Sequence, residues 1–203
     1  MIRLALLLWC IAGSAFADNP AWPALYDVVD LADDDVPNIR SKPDASAPLI
    51  GALDPKATDI GALGQDPQAM WAKINADEST GWVALRYLSR QPDQTLGQPL
   101  QIASCFGTEP FWTLELSDIG NATYSALGEE DQRGNIEARL SSQNSLNDNA
   151  VAIRFGQRTS IAMISRTDCS DGMSDRTYGL RVQLLHGSNG PQRLLSGCCT
   201  LVP

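Results

Sequence analysis

Past residue 20 of this 203-residue chain, short apolar runs of five to eight residues, many of them alternating with polar residues in the second half, are separated by Pro, Gly, Asp and Asn. "YDVVDLA", "VPNIRS", "APLIGAL", "MWAKIN" and "GWVALRYL" form one set. "FWTLEL", "VAIRF", "TSIAMIS", "YGLRVQLL" and "QRLLSGCC" form a second. Period-two alternation places successive side chains on opposite faces of a strand, and no stretch is periodic enough for a long helix. The chain is therefore expected to be all-β. The first set reads as a small barrel and the second as an antiparallel barrel, closed or nearly closed. The polar segment from Gly128 to Asn149 reads as a long connection holding one short strand.

The first seventeen residues stand apart. "MIRLALLLWCIAGSAFA" has a cationic start at Arg3, an apolar run from Leu4 to Ala12 and a small-x-small site at Ala15-Phe16-Ala17. These are the parts of a secretory signal peptide, expected to be cleaved after Ala17. A lipoprotein acylated at Cys10 is disfavoured, because Trp9 fills the position that needs a small residue. The apolar run falls short of the ~20 residues of a spanning helix, so no membrane span is expected after cleavage. The expected location is the periplasm or the exterior.

Cleavage removes Cys10 and Arg3, so five cysteines become four and the formal charge of −9 becomes −10. An even number of cysteines in an exported chain reads as disulfides rather than thiol catalysis or metal binding. The acidity opposes nucleic acid, whose binding needs clustered Lys and Arg. Contact with an anionic cell-wall polymer would need a shaped site or a local patch.

Length and composition divide the remainder into residues 24–89, which lack cysteine, a connector 90–99 ("RQPDQTLGQP") with two prolines and a glycine, and residues 100–203, which carry all four cysteines. Asp33-Asp34-Asp35 reads as a solvated turn, since it lacks the alternating oxygens and following Gly and Glu of a calcium loop.

The order "VPNIRSKPDASAPLIGAL", "WAKI", "GWVALRYL" resembles the bacterial SH3 (SH3b) domain, on Asn38, Ile39, Arg40, Ser41, Pro43, Pro48, Ile50, Gly51, Trp71, Gly81, Trp82, Val83, Tyr87 and Leu88. Lys42 departs from the glycine usual in the turn, and "GALGQDPQAMW" is poorer in glycine than the pattern. The resemblance implies a small barrel that binds cell-wall peptide, glycan or a protein partner and performs no chemistry. Tyr26, Trp82 and Tyr87 are the expected groove residues, with Trp71, Trp82 and Tyr87 also candidates for the core. "ALYDVVD" also looks like the opening of eukaryotic SH3 domains, but the paired tryptophans and late proline of that family are missing.

Three motifs mark the second part: "CFGTEPFW", "CSDGMSDRTYG" and "LLSGCC". They resemble an uncharacterised domain of bacterial periplasmic proteins and lipoproteins, which implies a location and a fold but no activity. Glu109, Trp112, Asp171, Gly172 and Asp175 are its motif residues. Asp168, Asp171, Ser174 and Asp175 invite a metal reading, yet Asp and Ser cap their own backbone in turns and Gly172 supplies a positive φ. No metal and no cofactor is expected. Four cysteines allow three pairings, and adjacent Cys198 and Cys199 point to opposite faces, so each needs its own partner. The resemblance implies Cys169 with Cys198, leaving Cys105 for Cys199. His186, in "LLHGSNGPQ", is expected in an exposed hairpin turn, with no free thiol to activate.

The expected role is non-enzymatic binding in the cell envelope by a monomer. Two alternatives differ in class: a periplasmic inhibitor docking on a basic, lysozyme-like enzyme through its acidity, and an unrecognised hydrolase or metal-dependent activity at Glu109 and the loop from Asp171 to Asp175.

Overall fold

The structure is a computed structural model and describes residues 21–32, 35–117, 119–187 and 191–201. The expected leader and its expected cleavage site, and Asp33 and Asp34 of the acidic run, lie outside the described residues. The described chain is all-β, in two sheets.

The first sheet comprises β1 (Ala24–Val28), β2 (Asn38–Arg40), β3 (Leu49–Ala52), β4 (Ile60–Gln65), β5 (Trp71–Ala76), β6 (Ser79–Ala84) and, after a 3-10 turn at Leu85–Tyr87, β7 (Leu88–Arg90). Its antiparallel order is β3-β2-β6-β5-β4-β1-β7. Alternation decides what is inside. Ala72 and Ile74 of β5 and Gly81 and Val83 of β6 are buried, while Trp71, Lys73, Trp82 and Ala84 between them are half-exposed. Tyr26, Ile39, Ile60 and Leu88 complete this core. Gly81 is required by packing: a Cβ there would lie 2.4 Å from Ile39 Cγ2 and 2.8 Å from Ile50 Cδ1. The β4–β5 turn is closed by the buried Asp66, whose Oδ1 accepts from the N–H groups of Met70 and Trp71, each at 2.7 Å.

The second sheet comprises β8 (Ser104–Thr108), β9 (Phe111–Leu116), β10 (Asn121–Ala126), β11 (Gln132–Ser141), β12 (Asp148–Phe155), β13 (Arg158–Cys169), β14 (Tyr178–His186) and β15 (Arg193–Thr200). They close into a barrel in the order β10-β11-β12-β13-β14-β15-β8-β9. Trp112, Leu114, Tyr124, Ile153, Phe155, Ile164, Leu180, Val182 and Leu184 fill it. Each large side chain contributes roughly 1.5–3 kcal/mol by leaving water.

The structure departs from the sequence-based expectation at two places. The segment 128–149 holds a ten-residue strand, β11, and the first residues of β12 rather than one short strand. Only Gly134 of β11 is buried, and the register shifts between Ile136 and Ala138, so its alternation is blurred although it is needed to complete the ring. His186 is the last residue of β14 and is 1% exposed, not in an open turn.

The stretch after β7 is tied to β1 rather than loose. Gln94 accepts from Leu25 N–H through Oε1 at 2.6 Å and donates through Nε2 to Leu25 O at 2.9 Å, mimicking a strand partner. From the barrel, Arg166 donates to Trp22 O and Pro23 O at 2.8 and 3.2 Å, tying β13 to the segment that leads into β1.

Candidate functional site

On the first sheet, the outer face of β5 and β6 presents Trp82. Its cross-strand neighbours are Lys73 on β5 and Arg40 on β2. Arg40 is held by a 2.7 Å bond from Nη1 to Ala47 O. An accessible indole between two cations forms a local basic, aromatic spot on an acidic protein. Such a surface can stack on an apolar ring or sugar face while its flanks hold carboxylates. Tyr87 is also half-exposed, in the 3-10 turn, with the Arg86 guanidinium 4.6 Å above its ring and donating to its hydroxyl at 2.7 Å.

Tyr26 does not line a groove. It is 6% exposed and stacks on Trp22 with ring centroids 5.7 Å apart, because alternation along β1 puts it on the same buried face as Ala24. Burial raises its hydroxyl pKa, against the opposing effect of Arg90. The contribution of Lys73 and Arg40 was accessible only through register, which pairs both with Trp82.

On the barrel, the three motifs converge on one cleft of about 660 Å³, bounded by the β8–β9 turn with Glu109, the loop from Ser170 to Met173, and Ser196 to Cys198. Phe111 and Met173 stand at its rim, 50% and 69% exposed. Two motif glycines allow the strands beneath it to approach. A Cβ on Gly197 would sit 1.9 Å from Phe106 O, and one on Gly107 would sit 2.3 Å from Nε1 of the buried Trp112. Disulfides join Cys105 to Cys199 and Cys169 to Cys198. Cys105 and Cys199 face each other across β8 and β15, so this bridge ties two strands already in register. All four sulfurs are thereby removed from thiol chemistry.

The aspartates of "CSDGMSD" organise a turn. Asp171 Oδ1 accepts from the N–H groups of Met173 and Ser174 at 2.9 and 3.1 Å, and Oδ2 accepts from the hydroxyls of Ser174 and Tyr178 at 3.0 and 3.3 Å. Burial pushes this carboxyl pKa up, but these donors outweigh it and hold it below the usual range. Gly172 adopts φ +71°, where a side chain would be strained. Thr108 donates to Asp171 O at 3.0 Å, linking the turn to "GTEP". Among the described residues, no three His, Cys, Asp or Glu side chains gather as metal ligands would.

This turn projects the next residues onto the first sheet. Asp175 N–H donates to Glu78 O at 3.0 Å, Arg176 donates to Asp77 O and pairs with Glu78 at 3.6 Å, and the Asn75 amide pairs with both backbone groups of Thr177 at 3.0 and 3.3 Å. The second half of the motif thus grips the β5–β6 hairpin. Asp175 acts through its backbone. The partner residues Asn75, Asp77 and Glu78 carry no sequence signal for this role, because the contact joins positions about 100 residues apart.

With this geometry in view, residues 34–89 match the family model described as Bacterial SH3 domain. The comparisons with curated proteins and with solved structures gave no match. Bacterial SH3 domains are binding modules, so the first sheet is the part of the chain for which a cell-wall or protein-binding role is indicated. No described helix is long and apolar enough to cross a membrane.

Proposed function

We propose that the protein is an exported, non-enzymatic component of the bacterial cell envelope that binds cell-wall peptide or glycan through its SH3-type domain. On this reading the leader is removed after Ala17, residues 24–89 form the binding domain, and residues 100–203 form the periplasmic barrel that holds it. The observation that carries the reading is the accessible Trp82 between Arg40 and Lys73, within residues that match a binding family. Stem peptides of the wall carry carboxylates and the glycan carries apolar sugar faces, which suit cations around an indole.

The test is cosedimentation of the mature protein with purified sacculi. Wild type should sediment with the wall, and Trp82→Ala should lose most of that binding while keeping a wild-type far-UV circular dichroism spectrum at the assay temperature, since Trp82 is only partly buried on the outer face. Equal binding by both proteins would remove this face from the account. Absence of binding by wild type would turn the search to a protein partner.

A further inference from the structure

The barrel cleft on which the three cysteine-bearing motifs converge takes no part in the SH3-type face. Its volume of about 660 Å³ lies within the roughly 300–1,000 Å³ of small-ligand sites. Every residue that lines it is described, and its side chains can be reached: Glu109, Phe111, Ser170, Met173, Arg181 and Ser196 are all exposed. The walls are held without a ligand. Thr108 Oγ1 donates to Asp171 O at 3.0 Å and bridges the end of β8 to the opposite loop, while the Cys169–Cys198 disulfide ties the start of that loop to β15. Asp171 spends both carboxylate oxygens inside the loop, on Met173, Ser174 and Tyr178. A cleft braced in this way loses little freedom when it binds.

The open side chains exceed what the fold uses. Phe111 and Met173 bring two large, exposed apolar groups to one rim. A ring and a flexible thioether make an adaptable pair of jaws for an apolar side chain. Arg181 donates to Asp168 O at 3.3 Å and has no carboxylate partner among the described residues. Glu109, in the β8–β9 turn, has no cationic partner among them either. One cation and one anion, neither neutralised, therefore line a cleft with apolar jaws.

We propose that this cleft binds a short free peptide, with an apolar side chain between Phe111 and Met173, the terminal carboxylate on Arg181 and the ammonium group toward Glu109. The charges choose the class. A nucleotide or other polyanion would meet Glu109 and Asp171 with a single arginine to hold it. A metal ion finds no cluster of ligands among the described residues. An uncharged sugar would leave both charges unused, and a fatty acid would leave Glu109 without a partner. A zwitterion with an apolar side chain uses all four side chains, and the hydroxyls of Ser170 and Ser196 can both donate to and accept from the peptide groups between its ends. The inference does not rest on the Trp82 face, which lies on the other sheet.

Met1 aside, the chain has three methionines, Met70, Met163 and Met173, and of these Met173 lines the cleft. Protein labelled with [methyl-¹³C]methionine is titrated with Ala-Phe, Ala-Ala-Phe and Ala-Ala-Ala-Phe, and with the N-acetyl and the C-terminal amide form of each. At least one free peptide should shift the Met173 methyl resonance saturably and leave Met70 and Met163 in place. Acetylation and amidation should each weaken that binding about tenfold, the loss of one charge-assisted hydrogen bond. Arg181→Gln should bind the acid and the amide alike, and Phe111→Ala should bind the free peptide several-fold more weakly. Both variants replace exposed side chains, and a wild-type circular dichroism spectrum checks their fold. The proposal is overturned if no free peptide moves Met173, if either blocked form binds as well as the free one, if Arg181→Gln still prefers the acid, or if Phe111→Ala binds as wild type does.

Discussion

Replacing Asn75 with alanine should loosen the grip of the barrel on the first sheet without disturbing either core. Asn75 lies on the outer face of β5, opposite Thr80, and its amide makes one bond to Thr177 O and accepts one from Thr177 N–H. Each such bond contributes about 0.5–1.5 kcal/mol net, so their joint loss is about 1–3 kcal/mol. Both groups are half-buried and water can re-bond them, which places the cost toward the lower end, about 1–2 kcal/mol. For a unit of 60–100 residues each kcal/mol moves the midpoint by about 4–8 °C. Calorimetry should therefore show the first sheet unfolding at least 4 °C lower in Asn75→Ala. Lys73→Ala, two residues away on the same face, should leave it in place. If Asn75→Ala melts within 1 °C of wild type, the contact between "CSDGMSDRTYG" and the β5–β6 hairpin is not a stabilising one and the role given to that motif fails.

The two disulfides should differ in weight. With sequence separations of 94 and 29 residues, chain-entropy estimates give about 4.7 kcal/mol for Cys105–Cys199 and about 3.6 kcal/mol for Cys169–Cys198. Denaturant titration of the paired Cys→Ser variants should rank them in that order, and the reverse order would show that the pairs do not act mainly on the unfolded chain. Asp171 supplies a pH prediction. Its folded pKa is depressed, so its contribution is complete above the unfolded value of about 3.9 and is lost as pH falls from there through the lower folded value. Asp171→Asn removes the second carboxylate acceptor, used by Ser174 and Tyr178, and should cost about 1 kcal/mol at pH 7. Melting curves of the two proteins should converge below pH 4, and a constant gap down to pH 2.5 would contradict the assignment.

The alternation at Phe111–Leu116, Val151–Phe155 and Tyr178–Leu185 states the sheet outright, because each strand buries one face and the period survives in composition. β11 escaped notice because it buries only Gly134 and carries a register shift, so its role in closing the ring is topological and leaves no apolar pattern. His186 was hidden for the opposite reason. It precedes a run of Gly, Ser and Asn that looks like open turn, and only closure of the barrel brings Tyr124, Phe155 and Ser160 around it. Tyr26 shows the limit of reading aromatics singly, since its inward direction follows from the alternation of β1, which sets it on the buried face with Ala24. Convergence of the three cysteine-bearing motifs on one cleft, and the grip of the middle one on a hairpin a hundred residues earlier, are likewise products of register.

The Trp82 face is proposed to bind the cell wall. Its most direct test is cosedimentation of wild type, Trp82→Ala and Lys73→Ala with purified sacculi from 50 to 500 mM salt. The expected result is binding by wild type that weakens with salt, near-complete loss in Trp82→Ala, and in Lys73→Ala a reduced affinity with a shallower salt dependence. Identical curves for the three proteins, or no sedimentation of wild type at 50 mM salt, would contradict it.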